Sequence, residues 1–378
     1  MTVTVPGSVD VVCLGESMVT FLPTRPGRLA DVPSFVRGIG GAESNVACAL
    51  AASGHSAKWV GRVGADGFGE HLVAAIASYG VDTSAVQRDA HRPTGIYFRT
   101  AGERATGSQP GSQLDSQLDS LPGSLPGSRC EERDHAEVLY YRAGSAASAM
   151  SPATMPYEDL WSGRILHLSG ITAALSADCL ALMRELTTRR PGRPLVSFDV
   201  NYRVNLWREA EDPRVLLDLA RGADIVFVGE DEAEAAWGLC GAPVIRAALP
   251  EPEVLVVKQG GQGAKAYVRS GPARDTVTFV PALSVDVVAP VGAGDAFAAG
   301  FLSATLRGLS ARARLRHGHL MAAATLTVAT DLAAPPERAH ADRLAALGAR
   351  AWGTLRLGPG WTAGPAQDPQ DQVEVRTV

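Results

Sequence analysis

The sequence predicts an α/β fold built on a mostly parallel sheet. Two observations carry that expectation. Short apolar runs such as Val9 to Leu14 and 254–258 lack a polar face, as strands buried on both sides do. These runs alternate with helical stretches along most of the chain, the pattern of strands joined by crossover helices.

In order, Val9 to Leu14, closed by Gly15, reads as a central strand. Residues 18–22 and 34–37 read as short strands around a Pro/Gly-rich turn. Gly38, Gly40 and Gly41 make a Gly-rich turn, and Asn45 is expected to open a small-residue helix that Gly54 ends as a C′ residue. A strand over 57–63 and a helix over 69–79 follow, then a pair of strands, 95–101 and 138–144. Further strands are expected at 165–169, 195–199, 224–228, 254–258, 263–268 and 276–280. Helices are expected at 176–190, 213–221 and 230–238, and two long helical patterns, 295–307 and 310–330, close the fold.

One region departs from this pattern. Residues 106–128 repeat SQLD and SLPG in tandem and are dominated by Ser, Gly, Pro and Gln. Such a segment buries too little apolar surface to offset its ordering entropy, so a disordered loop at a hairpin tip is expected over 104–134. The stretch 356–378 is expected to be an unstructured tail, leaving 9–355 as the folded domain.

Composition narrows the function classes. The 378 residues are 46% hydrophobic and 20% charged, ample for a large core. A net charge of −5 offers no basic face for nucleic acid. Five cysteines without a CxxC suggest neither a disulfide framework nor a zinc site, and the histidines show no metal-ligand spacing. No apolar run reaches the ~18 residues that span a bilayer. A soluble protein of a reducing compartment, the cytoplasm, is expected, with no membrane partner.

Chemistry concentrates in 285–302, VDVVAPVGAGDAFAAGFL. A strand over Val285 to Val288 is stopped by Pro290, and Gly292-Ala293-Gly294-Asp295 opens a buried helix. A helix start presents unpaired N–H groups and attracts anions, phosphate above all. Asp295 is either an N-cap or a catalytic group. Four other stretches could join it. Gly41 to Asn45 is a turn with a cap or a ligand site. Tyr140-Tyr141-Arg142 is plain strand surface or a recognition strand. Asp199 to Arg203 ends a buried strand, where polar residues of α/β sheets face the ligand crevice. Lys258 to Gly263 is a Gly-rich loop or a simple connection. No P-loop, protein-kinase set or nucleophile elbow occurs.

In this order the stretches resemble the ribokinase-like (phosphofructokinase B) sugar kinases, from about residue 9 to about residue 345, with GAGDAFAAGFL the most specific match. The resemblance implies a three-layer α/β/α domain with a small β-sheet lid, its strands within 16–40 and 91–145. It implies ATP and Mg²⁺ as cofactors. Asp295 becomes the general base, and Gly292, Ala293 and Gly294 supply an anion hole for the transferring phosphoryl group. An Asp with a reference pKa near ~3.9 is ionised at neutral pH and can accept a hydroxyl proton. ATP is implied at Asn201, Tyr202, Arg203, Lys258, Gly260, Gly261 and Gly263, together with Gly292 and Gly294.

Within the family the 2-keto-3-deoxygluconate kinase branch is the nearest likeness. It implies sugar contacts at Gly41, Ala42, Glu43, Ser44, Asn45, Tyr97, Tyr140, Tyr141, Arg142, Arg203 and Asp331, with arginines suited to an aldonate carboxylate. The alternatives are a fructokinase or other ketose or ribose kinase and, more remotely, a non-catalytic sugar- or nucleotide-binding regulator. An intact Gly-Ala-Gly-Asp speaks against the regulator. Lid pairing in relatives implies a homo-oligomer. Two departures matter. Ala289-Pro290-Val291 replaces the common Asp-Thr-Thr, which removes a carboxylate used for a monovalent cation. The usual Asn-x-x-Glu reads Gly229-Glu230-Asp231-Glu232, leaving Glu232 as a water-mediated Mg²⁺ contact.

Overall fold

The structure is a computed structural model that describes residues 9–100, 138–207, 212–271 and 274–363. The first half runs β1 (Val9–Leu14), β2 (Met18–Pro23), β3 (Phe35–Gly40), α1 (Ala42–Ala52), β4 (Ala57–Val60), β5 (Arg62–Gly64), α2 (Gly67–Ser78), β6 (Gln87–Asp89), β7 (Ile96–Arg99) and β8 (Val138–Tyr141). It continues α3 (Tyr157–Leu160), β9 (Gly163–Ser169), α4 (Gly170–Ala173), α5 (Ala177–Thr187), β10 (Leu195–Asp199), α6 (Val204–Trp207), α7 (Val215–Gly222), β11 (Ile225–Gly229) and α8 (Glu230–Trp237). The last part is α9 (Ala242–Ala248), β12 (Val254–Lys258), β13 (Gly263–Gly271), β14 (Arg274–Pro281), β15 (Ser284–Val285), α10 (Ala293–Leu306), α11 (Ala311–Leu326), α12 (Arg338–Ala345), α13 (Ala349–Thr354) and β16 (Arg356–Leu357).

Eight strands form the central sheet in the order β14-β13-β12-β11-β10-β9-β1-β4. Every neighbouring pair from β4 across to β12 is parallel, and β13 and β14 turn antiparallel at the edge. Helices cover both faces, which explains the unbroken apolar runs. In β1, Val11 and Cys13 join the core layer shared with α1, α10 and α11, while Val12 and Leu14 join the layer shared with α5, α7 and α9. This is the three-layer α/β architecture expected.

A second sheet forms the lid, in the order β3-β2-β7-β8. Strand alternation gives it two different faces. Thr20, Tyr97 and Tyr140 lie in register on one face. Phe21 and Phe98 stack on the other with centroids 4.8 Å apart, and Tyr141 meets Phe98 edge-on at 6.1 Å.

Several boundaries differ from expectation. Helix α1 begins at Ala42, so Asn45 lies inside its first turn, and its side chain is engaged elsewhere rather than capping. The run 57–63 splits at Gly61: β4 stays in the central sheet, and β5 pairs with β6. Of Val285 to Val288 only Val285 is in a strand, and Val287 and Val288 are exposed. Helix α11 stops at Leu326. The stretch expected to lack structure from 356 is ordered as far as Ala363, because Arg356–Leu357 pairs with β15 and Trp361 packs on the core. The expected insert, 104–134, lies outside the described residues; its flanks β7 and β8 pair antiparallel, as neighbours of one hairpin do.

Candidate active site

The C-terminal ends of β10, β11 and β12 and the start of α10 meet at one end of the sheet. Asp199 closes β10 and Lys258 closes β12, and Lys258 Nζ lies 3.0 Å from both Asp199 carboxylate oxygens. The same lysine borders the turn that opens α10, since a side-chain carbon added at Gly294 would stand 3.7 Å from Nζ. Burial would lower the Lys258 pKa, but Asp199 and Glu232 outweigh it and hold the ammonium charged. Asn201 adopts a left-handed φ of 42°, rare outside glycine, just beyond β10.

Gly292 takes the N-cap position of α10 with φ 77°. A side-chain carbon there would come within 2.3 Å of the Asp331 carbonyl oxygen, so both its backbone conformation and its packing call for glycine. Asp295 is therefore the third residue of the helix and not its cap. Its Oδ2 accepts a hydrogen bond from Asn45 Nδ2 at 2.9 Å. Burial pushes the Asp295 carboxyl up to about 7, Asp199 adding to the rise, and Asn45, Arg203 and Lys258 oppose it. Full ionisation at neutral pH, expected from the reference value, thus gives way to a group half-ionised near pH 7.

Arg203 lies just beyond β10, against Glu232 of α8. Its Nη1 donates to the Tyr202 carbonyl at 3.1 Å and pairs with Glu232 Oε1 at 3.4 Å. Glu232 Oε2 accepts from the Gly229 N–H at 2.8 Å. Burial raises the Glu232 carboxyl, but Lys258 and Arg203 outweigh that and leave it lowered. Gly260 and Gly261 lie exposed in the loop between β12 and β13, and Gly263 opens β13. Among the described residues no group of three or more His, Cys, Asp or Glu is arranged to hold a metal ion.

On the lid side, Tyr97 OH donates to Asp331 Oδ2 at 2.7 Å. Arg99 Nη2 reaches Asp331 Oδ1 at 2.7 Å and the Ala329 carbonyl at 3.1 Å. Gly40 backs this cluster: a carbon on it would lie 2.4 Å from Tyr97 OH and 2.8 Å from Asp331 Oδ2. Tyr140 faces Tyr97, and the Arg142 guanidinium lies 5.7 Å from the Tyr140 ring centroid. Arg142 is ion-paired with Glu16.

Not every expected sugar contact lies in this crevice. Tyr141 stands on the opposite face of the lid from Tyr97 and Tyr140, because successive strand residues alternate. Glu43 is wholly buried, with Ser169 and Thr172 donating to its Oε1 at 2.8 and 2.7 Å. Burial pushes its carboxyl up. Ala42 and Ser44 are also buried, and Ser44 Oγ donates to Ser17 Oγ at 3.0 Å and to the Gly41 carbonyl at 3.1 Å.

Two residues of the cluster were missed in the sequence. Glu16 follows the apolar run that ends β1, and a polar residue at a strand's C-terminal end was a usable signal. Arg99 gave none, since an arginine on a strand reads as surface.

The chain is similar to known proteins over most of its length. The chain matches the model of the pfkB family carbohydrate kinase over residues 9–120 and 129–337. It is 32% identical over 340 residues to the 2-dehydro-3-deoxygluconokinase of Bacillus subtilis (strain 168), covering 87% of this chain and 93% of the relative. It is also 32% identical over 297 residues to fructokinase-1 of Oryza sativa subsp. japonica, covering 77% of this chain and 81% of the relative. The crystal structure of a PfkB protein from Polaromonas sp. JS666 superposes with a TM-score of 0.68 at 32% identity, over 84% of this chain and 95% of that one.

Proposed function

The chain belongs to the pfkB family of carbohydrate kinases and is an ATP-dependent sugar kinase, and from that premise we propose that it phosphorylates 2-keto-3-deoxygluconate at its terminal hydroxyl. The observation that carries the mechanism is Asp295, set in the first turn of α10 against Asn45 and beside the Lys258–Asp199 pair. A carboxyl group with a pKa of about 7 suits a general base at neutral pH. Asp295 accepts the hydroxyl proton as the sugar oxygen attacks the terminal phosphoryl group. The N–H groups at the start of α10 and the Lys258 ammonium face the charge on that group. Asn201, Tyr202 and the loop over Gly260, Gly261 and Gly263 form the nucleotide side. Glu232 has both oxygens already engaged, which fits a water-mediated rather than a direct contact with Mg²⁺. Bound there, the ion would offset phosphate charge.

The sugar assignment is supported by the dehydrodeoxygluconokinase relative and by Arg142, a guanidinium beside Tyr140 and Tyr97 that suits a carboxylate. Fructose phosphorylation is the second reading. It is favoured by the equal identity to a fructokinase and by the Glu16 partner that already balances Arg142. Tyr141 and Leu139, exposed on the outer lid face, are the surface through which a homo-oligomer would form.

An ATP-consumption screen over ketoses and aldonates tests the assignment. Turnover is expected to be fastest with 2-keto-3-deoxygluconate. Faster turnover of fructose would transfer the assignment to the second reading.

A further inference from the structure

Arg142 stands beside two buried carboxyl groups. Its Nη2 is paired with Glu16 Oε2, and Glu16 Oε1 accepts from Ser145 Oγ at 2.6 Å. Glu16 is 2% exposed, held where β1 gives way to β2. Gly95 backs it so closely that a side-chain carbon there would stand 2.9 Å from Oε1. Glu43, fully buried, also feels the Arg142 charge. Among the described residues, Glu43 Oε2 and Arg142 Nε are buried without a hydrogen-bond partner.

Ion pairs as deeply buried as this one contribute little net stability, because desolvation offsets their attraction. Their effect on a charged ligand is large for the same reason.

We propose that Glu16 determines the substrate class of this kinase: by balancing Arg142 from within the lid base, it sets the preference between carboxylated sugars and uncharged ketoses. The proposal rests on the reading that the sugar meets Arg142. A substrate carboxylate drawn to that guanidinium comes within about 5–6 Å of the Glu16 carboxylate, and repulsion at that range in a partly buried site amounts to at least about tenfold in binding. A ketose hydroxyl accepts a hydrogen bond from Arg142 with no such repulsion, and the ion pair stays intact.

The test uses Glu16→Gln, which keeps the shape and an acceptor for Ser145 while removing the charge. kcat/KM is measured for 2-keto-3-deoxygluconate and for fructose in the parent, Glu16→Gln, Glu16→Asp, Arg142→Met and the double variant Glu16→Gln/Arg142→Met. The acid-to-ketose ratio is expected to rise about tenfold or more in Glu16→Gln. It should stay at the parent value in Glu16→Asp and rise again from Arg142→Met to the double variant. That last comparison leaves no arginine unpaired; because Arg142→Met leaves Glu16 a lone buried carboxyl, it is made at pH 7 and at pH 9, where a rise at either supports the proposal and no rise at either overturns it. A ratio that is unchanged or lowered on removing Glu16 overturns the proposal. If the parent does not use the acid at all, the substrate assignment fails separately, and a gain of acid turnover in Glu16→Gln still supports the role of Glu16.

Discussion

At the scale of single residues, Asp295 joins function to a stability penalty. Its folded pKa of about 7 lies above the ordinary carboxyl value, so its contribution to stability is present at low pH and is lost as pH rises toward 7. Above pH 7 the folded protein carries a buried carboxylate against that penalty. Asp295→Asn keeps the shape and can still accept from Asn45. It is expected to lower kcat by ~10²–10⁴-fold. The melting temperature should rise by a few degrees at pH 8, by less at pH 5, and hardly change near pH 3, below both carboxyl pKa values. Retained activity would leave Asp295 no role as base. In the parent, kcat/KM for the sugar is expected to fall about tenfold per unit as pH drops below about 7, since the base must be ionised to accept the proton. A flat profile from pH 5 to 8 would place the essential group elsewhere.

At the scale of elements, the start of α10 depends on its fit against the chain after α11. Gly292 lies against the Asp331 carbonyl, and Asp331 in turn is held by Tyr97 and Arg99 of β7. Lid strand, Asp331 loop and the turn at Gly292 thus form one contiguous cluster. Gly292→Ala forces a left-handed residue and a backbone clash, and is expected to destabilise the fold by ~1–3 kcal/mol and to cut kcat by ~10²-fold. Gly294→Ala has neither problem, its new carbon standing 3.7 Å from Lys258 Nζ, and should melt near the parent temperature. Denaturant melts of the two variants check the contrast, and equal destabilisation would contradict it.

At the scale of the whole molecule, the lid is tied to the α/β body at two separate places, by Arg99 to Asp331 and by Arg142 to Glu16. Arg99 ends β7, and Arg142 directly follows β8, the strand paired with it. The low-complexity segment 106–128 joins those strands in sequence, and leucines are its only large apolar residues. Replacing it with a short Gly-Ser turn is expected to leave the melting temperature and kcat near parent values, because loop length adds little closure entropy. A large loss of either, by calorimetry or steady-state assay, would mean that the segment packs on the lid.

Much of this protein was legible from the chain alone. Apolar runs of strand length, interrupted by helical stretches, dictated the parallel sheet, because a strand covered on both faces has no polar alternative. Gly292 to Asp295 marked the start of a buried helix, since glycines before a run of small apolar residues signal such a turn, and α10 does open there. The lid strands at 18–22 and 34–37 were legible from their turn. The partners of the charges were not. That Arg142 meets Glu16, that Arg99 and Tyr97 share Asp331, and that Asn45 serves Asp295 depend on contacts between residues as far apart as 250 positions. The displacement of the Asp295 pKa comes from the same source: burial and neighbouring charges exist only once the chain has folded, and only the tertiary structure decides them.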